Sequence, residues 1–134
     1  MSDVEDITQV IAAYGPAVDR GDAEAVAALF TDDGWYDVAG HRYEGRAALV
    51  AMVRSDGHQG LLEQGAAHVM GLPRVDVDGD TAVAVNQSVV HIAGKVWRVA
   101  ANRWQLVRTP EGWKVATRTN RLLDGSQEAR DLLR

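Results

Sequence analysis

Two histidines, His68 and His91, stand inside apolar runs of strand character, Ala66-Ala67-His68-Val69-Met70 and Ser88-Val89-Val90-His91-Ile92. A lone carboxylate, Asp19, follows the first helical pattern of the chain. An imidazole among apolar neighbours must find a hydrogen-bond partner or remain an unpaired buried polar group. A carboxylate that accepts from one ring nitrogen fixes the tautomer and leaves the other nitrogen as a base, and histidine exchanges protons near neutral pH more readily than any other side chain. Asp19 and His68 are therefore the expected dyad. His91 is the expected acid for a leaving hydroxyl, and Asn102 the expected donor to a carbonyl oxygen as charge develops on it. The chain has no cysteine and shows no activated serine, so elimination or isomerisation fits better than acyl transfer. In the plain structural alternative, Asp19 ends a helix, His68 pairs with it, and Asn102 satisfies strand backbone.

A metal is not expected. Asp19, His68 and His91 could in principle form a facial triad, but no HxH, HxxxH or HExxH spacing accompanies them. No glycine-rich loop follows a strand as dinucleotide or phosphate binding would require, so no organic cofactor is expected either.

With 134 residues the chain is read as a single domain, 1–134, able to bury about two-thirds of its unfolded surface. Fourteen Lys and Arg against nineteen Asp and Glu give a net charge of −5, which argues against nucleic acid as a partner. No run approaches the roughly 18 apolar residues of a membrane helix, and the acidic start, Ser2-Asp3-Val4-Glu5-Asp6, has no secretory character, so a cytoplasmic protein is expected.

Helical patterns come first and strand patterns later, the order of an α+β layer. Ile7, Val10, Ile11, Tyr14 and Val18 form one helical stripe, which Gly15-Pro16 is expected to kink or break. Gly21-Asp22 provides a stop and a fresh N-cap for a short helix over 23–30. Thr31 to Gly34 reads as a turn into a strand Trp35–Val38, with His41–Tyr43 as a sheet edge. Gly45–Arg54 reads as a third helix, and Asp56–Gly60 as a polar loop with an exposed His58. Long strands follow over about 66–77, 81–93, 96–107 and 113–121, joined by marked turns, with a helical candidate at 126–133.

This order, with Ala17-Val18-Asp19-Arg20-Gly21-Asp22, Leu29-Phe30-Thr31-Asp32-Asp33, Ala67-His68-Val69, Val77-Asp78-Gly79-Asp80-Thr81-Ala82 and Gly112-Trp113-Lys114-Val115, resembles the SnoaL-like branch of the nuclear-transport-factor-2-like superfamily over essentially the whole chain. The resemblance implies a cone: a curved, mostly antiparallel sheet against three N-terminal helices, enclosing an apolar pocket for a small hydrophobic molecule. It also implies a homodimer across the open sheet face, to which Trp97, Val99, Arg103 and Gln105 are expected to contribute. At residue level the chain is most similar to scytalone dehydratase and lindane dehydrochlorinase. Asp19 and His68 fall on the aspartate and histidine of both, and His91 and Asn102 on a further histidine and asparagine of the dehydratase. Val18 and Val38 replace two of the dehydratase's tyrosines. Tyr14 and Tyr36 stand nearby as alternative phenols, and Trp104, which shares a strand face with Asn102, is expected to line the pocket with them.

Two functions follow as expectations. The first is a cofactor-independent lyase of the dehydratase type, or an isomerase or cyclase, acting on a small cyclic or polyketide-like substrate. An isomerase variant would hold the oxyanion with Tyr14 and Asn102, although Val38 occupies the position expected of its aspartate and Asp37 faces the other way. The second is a noncatalytic binding or assembly protein in which the same polar groups only orient a ligand.

Overall fold

A computed structural model describes residues 2–134. Helix α1 (Asp3–Asp19) begins at a reciprocal cap, Ser2 accepting from the Glu5 amide while Glu5 reaches back to Ser2. It buries Ile7, Ile11, Tyr14 and Val18, as the stripe requires. The expected break does not occur. Pro16 sits within the helix, and the carbonyl that loses a donor, that of Ala12, belongs to an exposed residue on the wet face, open to hydration. Gly15 serves close approach instead: a Cβ there would lie 2.4 Å from the His68 carbonyl oxygen. Helix α2 (Ala23–Ala28) starts at Asp22, whose side chain caps the Ala25 amide.

The strands are β1 (Phe30–Val38), β2 (His41–Glu44), β3 (Ala66–Met70), β4 (Arg74–Asp78), β5 (Thr81–Ile92), β6 (Lys95–Thr109) and β7 (Gly112–Leu122). They form one mixed sheet in the order β2-β1-β7-β6-β5-β3, with β4 also on β5; among the described residues only the β1–β7 pair is parallel. Thr31–Gly34, expected to be a turn, is an irregular stretch within β1, across which its register with β7 shifts. The strand expected over 66–77 is divided at Gly71-Leu72-Pro73. There the Gly71 amide donates to the Gln87 carbonyl at 2.8 Å, so close that a Cβ on Gly71 would lie 2.6 Å from the same oxygen.

Four helices, rather than three, precede β3. Between β2 and β3 run α3 (Arg46–Arg54) and α4 (Asp56–Glu63). The residues expected to form a polar loop are helical because Ser55 caps α4 through the His58 amide, and Leu61 and Leu62 give the short helix an inner side. A short α5 (Gln127–Asp131) ends the chain. The helices and the inner sheet face share a core built on Ile7, Ile11, Phe30, Leu49, Val53, Leu106 and Val115. No described helix is long and apolar enough to cross a membrane.

Candidate active site

The C-terminal turn of α1 grips one peptide of β3. Gly15 admits the His68 carbonyl, and Asp19, four residues further along the same helix face, receives the His68 backbone N–H on both carboxylate oxygens at 3.0 and 2.8 Å. The same carboxylate lies 2.6 Å from His68 Nδ1. A carboxylate only accepts, so Nδ1 carries the proton and neutral His68 leaves Nε2 unprotonated. Among the described residues Nε2 has no hydrogen-bond partner, and His68 lines a cavity of about 300 Å³. Burial holds the His68 pKa below its ordinary value of 6.5. The hydrogen bond and charge of Asp19 oppose that shift, while the nearby His58 and Arg118 add to it.

Tyr14 and Tyr36, both expected here, line the cavity in an edge-to-face pair with centroids 6.1 Å apart. Burial, with Tyr36 beside it, pushes the Tyr14 pKa upward, so its phenol remains an O–H donor. Val38 lines the wall too, and Asp37 faces the other way, bonded to Arg121 at 2.7 Å.

Three expected site residues lie elsewhere. His91 does not reach the cavity: Val90, paired with His68 across β3–β5, is the lining residue, and strand alternation turns His91 to the opposite face. Asn102 is fully buried behind the wall. Its Oδ1 accepts from Arg118 Nε (3.1 Å), Arg118 Nη2 (2.8 Å) and Asn120 Nδ2 (2.8 Å), and its Nδ2 donates to Ser88 Oγ (2.9 Å). With its acceptor so occupied, it positions Arg118 rather than a substrate. Trp104 is likewise buried behind the wall, donating from Nε1 to Asn86 Oδ1 at 2.9 Å with its ring 4.2 Å from the Arg118 Cζ.

Among the lining residues that sequence reasoning missed are His58, Arg98, Arg118 and Asn120. His58, expected in solvent, bonds the Val18 carbonyl through Nε2 at 3.0 Å, and its ring centroid is 5.9 Å from that of His68. The signal was Ser55 three residues before it, a cap followed by an acidic first turn. Arg118 packs its guanidinium against Tyr14, Tyr36 and Trp104, with Cζ 4.4, 4.3 and 4.2 Å from the ring centroids. No group of three His, Cys, Asp or Glu converges as metal ligands among the described residues.

The model of the SnoaL-like domain matches residues 1–119. The chain belongs to the SnoaL-like domain family. Its fold is shared with an NTF2-like protein of cystatin-like fold from Novosphingobium aromaticivorans, 47% identical, over 98% of this chain and 89% of that one, with a TM-score of 0.94. A variant of a function-unknown protein from Mycobacterium tuberculosis is 27% identical, over 90% of this chain and 71% of that one, at a TM-score of 0.81. An NTF2-like superfamily protein from Salmonella enterica serovar Typhimurium, 14% identical over 90% of each chain at 0.73, shares the fold alone. No curated protein matches. In this SnoaL-like domain, then, helix α1 and strand β3 bring the carboxylate and imidazole together at a cavity that α4 also helps to wall.

Proposed function

We propose that this SnoaL-like domain is a cofactor-independent acid–base enzyme, a lyase of the dehydratase type or an isomerase/cyclase, acting on a small cyclic substrate. The observation that carries the reading is the 2.6 Å contact between Asp19 and His68 Nδ1 at the cavity, which leaves Nε2 as a free base. His68 Nε2 removes a proton from carbon beside a carbonyl, and the C–H electron pair passes into an enolate. The imidazolium, held by Asp19, then returns that proton. Delivery to another carbon gives an isomer; delivery to a β-hydroxyl, with cleavage of the C–O bond, expels water and closes the double bond. The acid role expected of His91 thus falls to His68 itself, with the Tyr14 O–H as a further donor. The likeness to scytalone dehydratase and lindane dehydrochlorinase at Asp19 and His68 supports proton abstraction followed by elimination, on a different substrate because Val18 and Val38 replace tyrosines.

The test is a screen of hydroxylated cyclic ketones read by mass. Loss of water marks dehydration, and unchanged mass with a new isomer marks isomerisation or cyclisation. On the substrate found, His68→Ala and His68→Gln are expected to lower turnover by roughly 100- to 10,000-fold while leaving the fold intact. Full activity in His68→Ala refutes the mechanism, and a loss of only a few-fold reduces His68 to a binding group.

A further inference from the structure

Arg118 is 1% exposed, takes part in no ion pair among the described residues, and has one nitrogen, Nη1, with no hydrogen-bond partner. Its other two nitrogens share a single amide oxygen, that of Asn102. Three aromatic faces surround it, which offsets part of the cost of burying a cation but supplies no counterion. A guanidinium stays charged throughout the range of pH in which proteins work. A second one, Arg98, lines the same cavity, also outside any ion pair among the described residues, its Nη2 bonded to Asn120 Oδ1 at 3.2 Å. The cavity wall thus carries two arginines and two histidines, and neither Asp nor Glu. In a chain of net charge −5, the formal charges on this wall are the two guanidinium cations, and the nearby Asp19 carboxylate is engaged by His68.

We infer that the cavity takes an organic oxyanion, a carboxylate or a phenolate/enolate on a single ring-sized apolar body, with its charged oxygen against Arg118. A cavity of about 300 Å³ lies at the small end for ligand sites and suits one ring better than a fused polyketide. Tyr14 and Tyr36 line the cavity and also pack against Arg118, so a ligand that reaches the guanidinium does so by displacing these rings. Asn102, Trp104 and Asn86 act through Arg118: the amide fixes two of its nitrogens, the indole packs against it, and Asn86 holds the indole. The inference refines the substrate class of the enzyme proposed above, since an oxyanion on Arg118 is where negative charge gathers when His68 removes a proton. Its test does not depend on turnover.

The test is calorimetric titration of the wild-type protein at mildly alkaline pH, where His68 is neutral, with two matched pairs: benzoate against benzamide, and 4-nitrophenolate against 4-nitroanisole. The charged member of at least one pair is expected to bind about 10- to 100-fold more tightly, as a charge-assisted hydrogen bond would give, and which pair responds separates the carboxylate from the phenolate source. Arg118→Gln is expected to erase that preference, whereas His68→Gln, which disables the proposed base, keeps it. Equal binding of charged and neutral members, binding of neither, or an unchanged preference in a folded Arg118→Gln overturns the inference. The wild-type comparison decides even where the variant does not fold.

Discussion

Replacing Gly15 with alanine tests how the dyad is positioned, and no substrate is needed. The new Cβ would stand 2.4 Å from the His68 carbonyl oxygen, and separating them to even 3.0 Å moves β3 from α1 by about 0.6 Å. Overpacking of that kind costs about 1–3 kcal/mol, against which alanine in a helix returns about 0.5–1 kcal/mol. The expected net loss is about 1 kcal/mol, a fall in Tm of about 4 °C. The same displacement acts on the bonds between Asp19 and His68, now 2.6 to 3.0 Å, and pushes them toward the limit of hydrogen bonding. Gly60→Ala is the control: in α4 a Cβ at Gly60 meets nothing within 4 Å, so alanine is expected to stabilise by about 0.5–1 kcal/mol. Thermal and denaturant unfolding give both signs, and the proton NMR signal of His68 Nδ1–H reports the dyad. A Gly15→Ala protein at least as stable as wild type, with that signal unchanged, would refute the close approach and the positioning built on it.

Two further outcomes follow. Because burial depresses the His68 pKa and its neutral form is the base, kcat/KM is expected to rise with pH through an acidic limb centred below 6.5; Asp19→Asn removes the two contributions that raise that pKa, so the limb moves lower still. The plateau falls as well, because asparagine has one acceptor oxygen for two His68 donors and can turn an N–H toward Nδ1, selecting the wrong tautomer. A limb above 6.5, or one that moves upward in Asp19→Asn, counts against His68 as base. As for assembly, we propose that the chain forms a homodimer over the strip that includes Val96, Trp97 and Val99, where Trp97 is 52% exposed. Sedimentation velocity is expected to show a dimer that Trp97→Glu weakens, and a monomer across micromolar concentrations excludes it.

The helix stripe and strand pattern made the α+β architecture legible, whereas the pairing of Asp19 with His68 rested on the family resemblance at those two positions, because a helical wheel across Gly15-Pro16 does not fix the angle of Asp19. Gly15-Pro16 was misread because local rules treat the pair as a helix breaker, whereas what selects glycine there is a β3 carbonyl that no local window contains. His91 went wrong for the opposite reason. The even positions Ala82, Ala84, Asn86, Ser88 and Val90 are the well-buried face of β5, so alternation alone turns His91 outward, against the position that the family resemblance implies.

Arg118 shows the limit of that same rule. Along β7 the buried residues are Trp113 and Val115, then Arg118 and Asn120. The phase changes because Gln105 pairs with Thr117 while Leu106 pairs with Val115, leaving Ala116 as the extra residue of a bulge. Strict alternation from Trp113 and Val115 places an arginine at 118 in solvent, where arginines ordinarily belong, and nothing in its neighbours says otherwise. A second irregularity, between Val90 and His91 on β5, leaves Trp97 as the extra residue on β6, next to Arg98. Both cationic positions on the cavity wall therefore sit at or just beyond places where the sheet departs from its period of two. If the bulges serve the ligand rather than the fold, the wall's charge is a built feature of the site. Halving it by Arg118→Gln should then change which ring-sized molecules enter while the Asp19–His68 dyad stays intact.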